Sequence, residues 1–403
     1  MRHGRSIFAA SVRAPGESRA VTPLELFFDL VYVFAISQLS HPLVEHFDLR
    51  TGIETLVLAL AVIYAWYMTA WLSNWLSPEH RPVQALLLSI MLASLLMSSA
   101  IGEAFADRAW LFGVTYVVIQ VGRAAFAVVT FTSGSNQRIH FVNVLAWEIG
   151  LSALWLAGVA ADGDAQLVLW ATAVIVTYVG VALYHPIPGR PSHLAAPIGP
   201  DAAGARSDLS GEHLLERLRL FFLIALGETL LTTGTAFAAE PVALGPVVAF
   251  VNAFVASVAL WYCYFQRAEG AGLTASETSA DPSGVAALGT QILTVMVLAL
   301  IAIAVGDEFA IAHPGDDPTA GYLILAFGGP ALFLLGQLYF MRRVGAQGLR
   351  TRALAVLALA VLALAMSATS LLAASVTATA VLLAVAISDA RSDRSAGRLA
   401  VYG

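Results

Sequence analysis

Long apolar stretches alternate along this chain with short polar segments that contain Gly, Pro or charged residues. Since about 20 helical residues cross the hydrocarbon core of a bilayer, each such stretch predicts a transmembrane helix. The last 36 apolar residues are too many for one span, so we divide them near Ser370 and Ser375. The twelve predicted spans are 22–43, 55–76, 83–101, 109–130, 140–160, 166–184, 214–237, 244–266, 285–305, 320–341, 353–370 and 374–388. This pattern predicts an all-α, polytopic membrane protein.

The composition supports a membrane protein and excludes several functions. Only 12% of the 403 residues are charged, against about 25% in soluble domains, which excludes a soluble multidomain enzyme. All 21 basic residues are Arg, and the chain has no Lys. Because Arg does not deprotonate, Schiff-base pigments and pyridoxal enzymes are excluded. No basic stripe interleaved with aromatic residues is present, so we expect no nucleic-acid partner. The predicted partner is the lipid bilayer.

Arginine placement predicts the orientation. With the N-terminus in the cytoplasm, the cytoplasmic segments contain 16 Arg and the external segments contain 2. Such an excess of cytoplasmic Arg is the expected bias of membrane proteins. Both termini are therefore predicted to be cytoplasmic.

A linker and weak internal matches predict two halves. The Pro- and Gly-rich segment 185–213 separates spans six and seven, and Leu-Phe-Phe at 26–28 matches Leu-Phe-Phe at 220–222. Trp-Tyr at 66–67 likewise matches Trp-Tyr at 261–262, at nearly the same offset. Two parallel six-helix repeats explain this order, and chance similarity among apolar helices is the alternative. The predicted regions are a leader at 1–21, repeats at 22–184 and 214–388, the linker at 185–213 and a tail at 389–403.

Ionisable residues inside the spans are the first candidates for chemistry, because a charge at the bilayer centre costs about 2.5–3.5 kcal/mol on insertion scales. Glu25 and Asp29 lie one turn apart on one face of span one. Asp29, Arg123 and Glu148 lie at the same predicted depth, so we expect them to be in contact. A structural triad that locks the helices is one interpretation, and a proton- or ion-coupling group is the other.

Span seven carries Glu228 near its predicted midplane, next to Gly227. An unpaired carboxylate there suits proton coupling, whereas a neutral Glu bonded to a neighbouring helix is the structural alternative. Arg217, three turns earlier, is expected at the cytoplasmic interface, where it snorkels rather than pairs.

Acidic residues close spans three and nine. Glu103 follows span three, and Asp307 and Glu308 follow span nine at matching positions. With His41 at the outer end of span one, they predict a solvated external vestibule that concentrates cations or protons. The spacing is not that of a metal site, and the sequence predicts neither a metal nor a cofactor.

Several of these residues lie in segments that resemble one known family. Residues 22–41 read TPLELFFDLVYVFAISQLSH, with QVGR at 120–123, IALGET at 224–229 and VGDE at 305–308. Together, over about residues 20–340, they are similar to the bacterial low temperature requirement A (LtrA) family. The resemblance implies a multi-pass protein of the bacterial inner membrane. It implies no established activity, and it directs attention to residues already singled out: Glu25, Asp29, His41, Arg123, Glu228 and Asp307. Together with Glu148 these are the predicted candidates for a coupling or substrate site, whereas Glu103 and Glu308 are assigned to the external acidic vestibule.

Three functions remain open from the sequence. The first is a proton- or cation-coupled secondary transporter of an unidentified small solute, with Glu228 and Asp29 titrating and Arg123 as counter-charge. The absence of a Walker A sequence disfavours an ATP-driven pump. The second is an intramembrane enzyme acting on a lipid, isoprenoid or other hydrophobic metabolite. Glu25, Asp29 and Glu228 would then be general acid/base groups, and the buried Arg would stabilise negative charge. The third is a non-catalytic membrane sensor or assembly factor.

Overall fold

The computed structural model describes residues 11–13, 21–188, 211–268 and 282–401, together with residues 270, 272 and 275. Within these residues it is helical and without strands, and twelve helices are long and apolar enough to cross a membrane. They are α1 (Pro23–Glu45), α2 (Leu49–Trp75), α3 (Arg81–Ser98), α4 (Ala109–Thr130), α5 (Asn136–Val159), α6 (Gly163–Ala182), α7 (Gly211–Ala239), α8 (Leu244–Gln266), α9 (Gly284–Ala312), α10 (Ala320–Arg343), α11 (Leu349–Ala368) and α12 (Leu371–Arg391). The predicted all-α membrane fold is confirmed, and so is the division of the last apolar stretch. Most of the predicted leader and linker lies outside the described residues.

The chain forms two compact units. The first is Met1–Leu39 with Gly52–Arg217, and the second is Ser40–Thr51 with Leu218–Gly403. The division falls inside α7, after Arg217, and not in the predicted linker. The predicted internal duplication stays a prediction.

Aromatic side chains form the core of the first unit between α4, α5 and α6. The Tyr116 and Trp155 ring centroids are 4.3 Å apart, and those of Trp155 and Trp170 are 5.2 Å apart. Gly158 permits this packing, because a Cβ there would lie 2.3 Å from Trp170 Nε1. Close packing of large rings against a glycine is one way in which helices associate in lipid.

The second unit contains a break in α10. The helix begins at Thr319, whose hydroxyl accepts a hydrogen bond from the backbone N–H of Tyr322 at 3.2 Å. One turn later, Ile324–Gly328 forms a π-helical turn just before Pro330. Proline has no backbone N–H to continue an α-helical ladder, and π-turns accommodate such interruptions. Gly306 of α9 approaches this turn closely, since a Cβ at Gly306 would lie 3.6 Å from the Ala326 nitrogen.

Candidate functional site

Asp29 of α1 is paired with Arg217 at the start of α7. Asp29 Oδ1 accepts hydrogen bonds from Arg217 Nη2 and, at 2.7 Å, from Trp66 Nε1. Arg217 Nη1 also donates to Ser73 Oγ at 2.7 Å. Asp29 and Arg217 are both fully buried. The expectation that Arg217 snorkels at the interface without a partner is therefore wrong, because a carboxylate lies within reach inside the first unit.

Glu25 completes this cluster from the first turn of α1. Its Oε2 accepts from the backbone N–H of Thr22 at 3.0 Å, while Thr22 Oγ1 accepts from the Glu25 N–H at 3.3 Å. This reciprocal pair is a capping box, so Glu25 has a structural task at the helix start. Its other oxygen, Oε1, lies 3.4 Å from His213 Nε2, 3.8 Å from Arg13 Nη2 and 3.9 Å from Arg217 Nη1.

Arg123 of α4 is paired with Glu148 of α5. Arg123 Nη2 lies 3.6 Å from Glu148 Oε1, and the same oxygen accepts from the Tyr64 hydroxyl at 2.6 Å. The predicted contact between Arg123 and Glu148 is confirmed. Asp29 does not complete a triad with them, because its own arginine is Arg217. Tyr64 and Trp66, two residues apart on α2, bond to Glu148 and Asp29 respectively and so keep the two carboxylates apart.

A third buried pair lies in the second unit. Arg352 of α11 donates from Nη2 to Asp389 Oδ2 at 2.8 Å and from Nε to Gln337 Oε1 at 2.9 Å. Arg352 and Asp389 are fully buried. Sequence reasoning placed both in polar segments outside the spans, because each lies within one residue of the predicted end of an apolar stretch.

Asp307 of α9 differs from all of these carboxylates. Among the described residues, five carboxylates are buried, at positions 25, 29, 148, 307 and 389, and four of them have an arginine partner. Asp307 has no basic ion-pair partner within that part of the chain, although the Ser375 hydroxyl interacts with it. Its Oδ2 is buried without a hydrogen-bond partner. Asp307 is 7% exposed, so its predicted place in a solvated vestibule is wrong.

A small cavity lies against Asp307. Its volume is about 20 Å³, and its walls include Ser375 and Thr379 of α12 and Ala326 of the π-helical turn. The volume is enough for one water-sized occupant. The cavity therefore places an unpaired carboxylate beside polar oxygens in an otherwise apolar part of the second unit.

The remaining candidates are exposed or half-buried. Glu103 is exposed and forms an ion pair with Arg108 at 2.9 Å. His41 is exposed and interacts electrostatically with the half-buried Glu308. Glu228 is half-buried on α7. No group of three His, Cys, Asp or Glu side chains suited to a metal ion occurs in the part of the chain that the structure describes.

The chain is similar to other proteins along most of its length. The family model described as Bacterial low temperature requirement A protein (LtrA) matches residues 20–387. The uncharacterized protein RA0937 of Rhizobium meliloti (strain 1021) is 34% identical over 329 residues, which cover 81% of this chain and 78% of that protein. No solved structure matches the chain.

Proposed function

The chain belongs to the bacterial low temperature requirement A (LtrA) family of membrane proteins, and we propose that it is a proton- or cation-coupled secondary transporter of a small solute. The solute is not identified by any feature of the chain. The transporter class is favoured because secondary transporters place the groups that bind the coupling ion at breaks in transmembrane helices. The π-helical turn of α10 beside Asp307 is such a break.

The single observation that carries the proposal is the difference between Asp307 and the other buried carboxylates. A buried charge in a membrane is tolerated when it is paired, and positions 25, 29, 148 and 389 follow that rule with Arg. Asp307 follows it only by taking up a proton or by binding a cation. A carboxylate that must capture a positive charge to be stable is what coupling to an ion gradient requires.

In this proposal the paired and unpaired carboxylates have different tasks. The arginine-paired groups hold the helices of each unit together, so among the coupling candidates predicted from the sequence the role belongs to Asp307 and not to Asp29. Glu228 remains the second candidate for ion or solute binding, since it lies in the middle of α7 and next to Thr229. The Thr229 hydroxyl lies 3.3 Å from the Ser257 hydroxyl of α8, which adds polar atoms to that level of the second unit.

Reconstitution into vesicles tests the proposal while the solute is still unidentified. Proteoliposomes holding the purified protein are incubated in a small-molecule extract of the host bacterium with inward proton and sodium gradients. Their contents are then compared by mass spectrometry with those of vesicles whose gradients are collapsed by ionophores. We expect at least one solute to accumulate only with a gradient present.

Asp307→Asn should abolish that accumulation, because Asn neither carries the charge nor takes up the proton. The matched control is Asp107→Asn, which removes an exposed carboxylate from the segment between α3 and α4 and should leave accumulation unchanged. Vesicle contents that are identical with and without gradients would contradict a coupled transporter. Accumulation that survives in Asp307→Asn would contradict the assignment of the residue.

A further inference from the structure

We propose that the Asp307 cavity is a binding site for one monovalent cation of the size of Na⁺. The inference rests on the proposed function, because it names the coupling ion and the atoms that hold it. It concerns only residues of the second unit, contributed by α8, α9, α10 and α12.

Charge balance selects a single positive charge. Asp307 supplies one negative charge and has no arginine or histidine ion-pair partner among the described residues, and no second carboxylate lines the cavity. A divalent ion held by one carboxylate would leave a net positive charge buried in the membrane. Calcium and magnesium sites draw on more oxygen ligands, usually with further carboxylates or retained water, than this cavity offers.

The polar side chains that line the cavity carry oxygens, the ligand type that hard cations prefer. Besides the Asp307 carboxylate, the hydroxyl-bearing residues Ser375 and Thr379 line it. Ser375 Oγ is held in place by Asn252 Nδ2, which donates to it at 2.8 Å. The Thr379 hydroxyl donates to the Ser375 carbonyl at 3.0 Å, so its oxygen lone pairs remain available to a cation.

The break in α10 adds a backbone oxygen. In a regular α-helix the carbonyl of Ala326 would accept from the backbone N–H four residues later, but that residue is Pro330 and has no N–H. Ala326 and Pro330 both line the cavity. Carbonyls released at helix breaks serve as cation ligands in transporters. The proline thus accounts for the loss of this α-helical bond, and a carbonyl oxygen has two lone pairs with which to accept a ligand.

The size of the cavity fits an ion without its water shell. A volume of about 20 Å³ holds one water-sized occupant and excludes a hydrated cation. The free-energy cost of removing the hydration shell then has to be offset by the oxygens of the site. Protein sites distinguish cations by how well their oxygens replace this shell.

A larger cavity lies one helical turn away. It has a volume of about 590 Å³, and its walls include Tyr322 of α10 and Leu371 of α12. Ala326 and Ser375 of the small cavity follow these two residues by four positions, or one turn, on the same helices. The Tyr322 hydroxyl donates to the Leu371 carbonyl at 2.8 Å in the wall of the larger cavity.

Thermal unfolding of the full chain in detergent, with sodium chloride replaced stepwise by choline chloride at constant ionic strength, tests the site. We expect the unfolding temperature of the wild type to rise with Na⁺ and to saturate. Asp307→Asn should show no Na⁺-dependent rise, and Ser375→Ala should need about tenfold more Na⁺ for the half-maximal rise, which corresponds to about 1.4 kcal/mol. The control Asp107→Asn should respond to Na⁺ as the wild type does.

Two outcomes would overturn the site: a wild type whose unfolding temperature is the same in sodium and in choline, or a folded Asp307→Asn protein that keeps the Na⁺ response. Circular dichroism and size-exclusion chromatography establish whether Asp307→Asn is folded. If it is not folded, the Na⁺ response of Ser375→Ala tests the site instead. The binding test is independent of transport. If the protein accumulates solute with a proton gradient but does not bind Na⁺, only the proposed sodium site is refuted. If it binds Na⁺ but accumulates no solute with any gradient, only the proposed transporter function is refuted.

Discussion

Arg217 and Asp29 are 188 positions apart in the sequence, yet they form a fully buried ion pair that joins the first turns of α7 to α1. The guanidinium also lies with its central carbon 5.5 Å from the centre of the Phe28 ring, one residue before its carboxylate partner. Charge, hydrogen bonding and an aromatic face thus all come from one turn of α1. Such a pair stabilises a fold mainly because each charge alone would be costly to bury.

Asp29→Asn and Arg217→Gln should each lower the free energy of unfolding by about 3–5 kcal/mol, because each leaves the opposite charge buried without its hydrogen-bonded ion partner. In Asp29→Asn, Glu25 at 3.9 Å from Arg217 offsets part of this loss. The double variant should lose clearly less free energy of unfolding than the sum of the losses in the two single variants. Unfolding in mixed micelles gives the three values, and Asp48→Asn in the exposed turn before α2 is the control. Additive effects would mean that the two side chains do not depend on each other.

Asp307→Asn and Asp389→Asn should shift stability in opposite directions when measured in choline buffer without Na⁺. Asp307→Asn removes a buried carboxylate that has no arginine partner among the described residues, so its unfolding temperature should rise. Asp389→Asn leaves Arg352 buried without its carboxylate, so its unfolding temperature should fall. A fall in both would show that Asp307 has a stabilising partner even without a cation.

The helices and one of the ion pairs could be predicted from the sequence. Apolar stretches of spanning length locate all twelve helices, because the cost of leaving backbone groups unsatisfied in lipid permits little besides helix. The match of depth between Arg123 and Glu148 predicted their contact correctly, since both lie well inside their helices. The capping box formed by Thr22 and Glu25 was also readable from the spacing Thr-x-x-Glu, although we interpreted Glu25 only as a candidate for chemistry.

The ends of the spans were harder to predict, and the buried charged residues that the sequence misplaced lie near those ends. A hydropathy pattern stops at a charge, whereas in the structure the helix continues through it. Hence α9 runs to Ala312 and includes Asp307, and α11 begins at Leu349 and includes Arg352. Arg217 was assigned to the interface for the same reason. Which arginine meets which carboxylate depends on how helices far apart in sequence pack, and single-span patterns do not contain that information.

Gly158→Ala should destabilise the first unit by about 1–3 kcal/mol, because the added Cβ would lie 2.3 Å from Trp170 Nε1 and the ring has to move. Trp170 is fully buried, and its indole N–H donates to the Trp155 carbonyl at 3.1 Å, so the ring has little room. Gly150→Ala in the same helix is the matched control, since nothing lies within 4 Å of its added Cβ. Equal unfolding temperatures for the two variants would show that α5 and α6 separate without cost.

His185 should make stability depend on pH. It follows α6 with φ of 53°, is buried, and lies against the Trp147 ring at 5.8 Å between centroids. Burial, reinforced by His140 and Arg123, lowers the pKa of His185 from 6.5 to about 3. The unfolded chain therefore takes up a proton at a higher pH than the folded protein does, and the stability present above pH 6.5 is lost progressively between pH 6.5 and 3.

The His185 contribution should lower the free energy of unfolding by roughly 1–2 kcal/mol between pH 7 and pH 5. His185→Asn removes the titrating ring and keeps a residue type that tolerates positive φ, so the backbone at this position is retained. The difference between wild type and variant, measured by unfolding in mixed micelles at each pH, isolates this histidine from the other titrating groups. We expect the wild type to lose more stability than the variant on acidification. Parallel pH profiles would show that His185 takes up its proton equally easily in the folded protein.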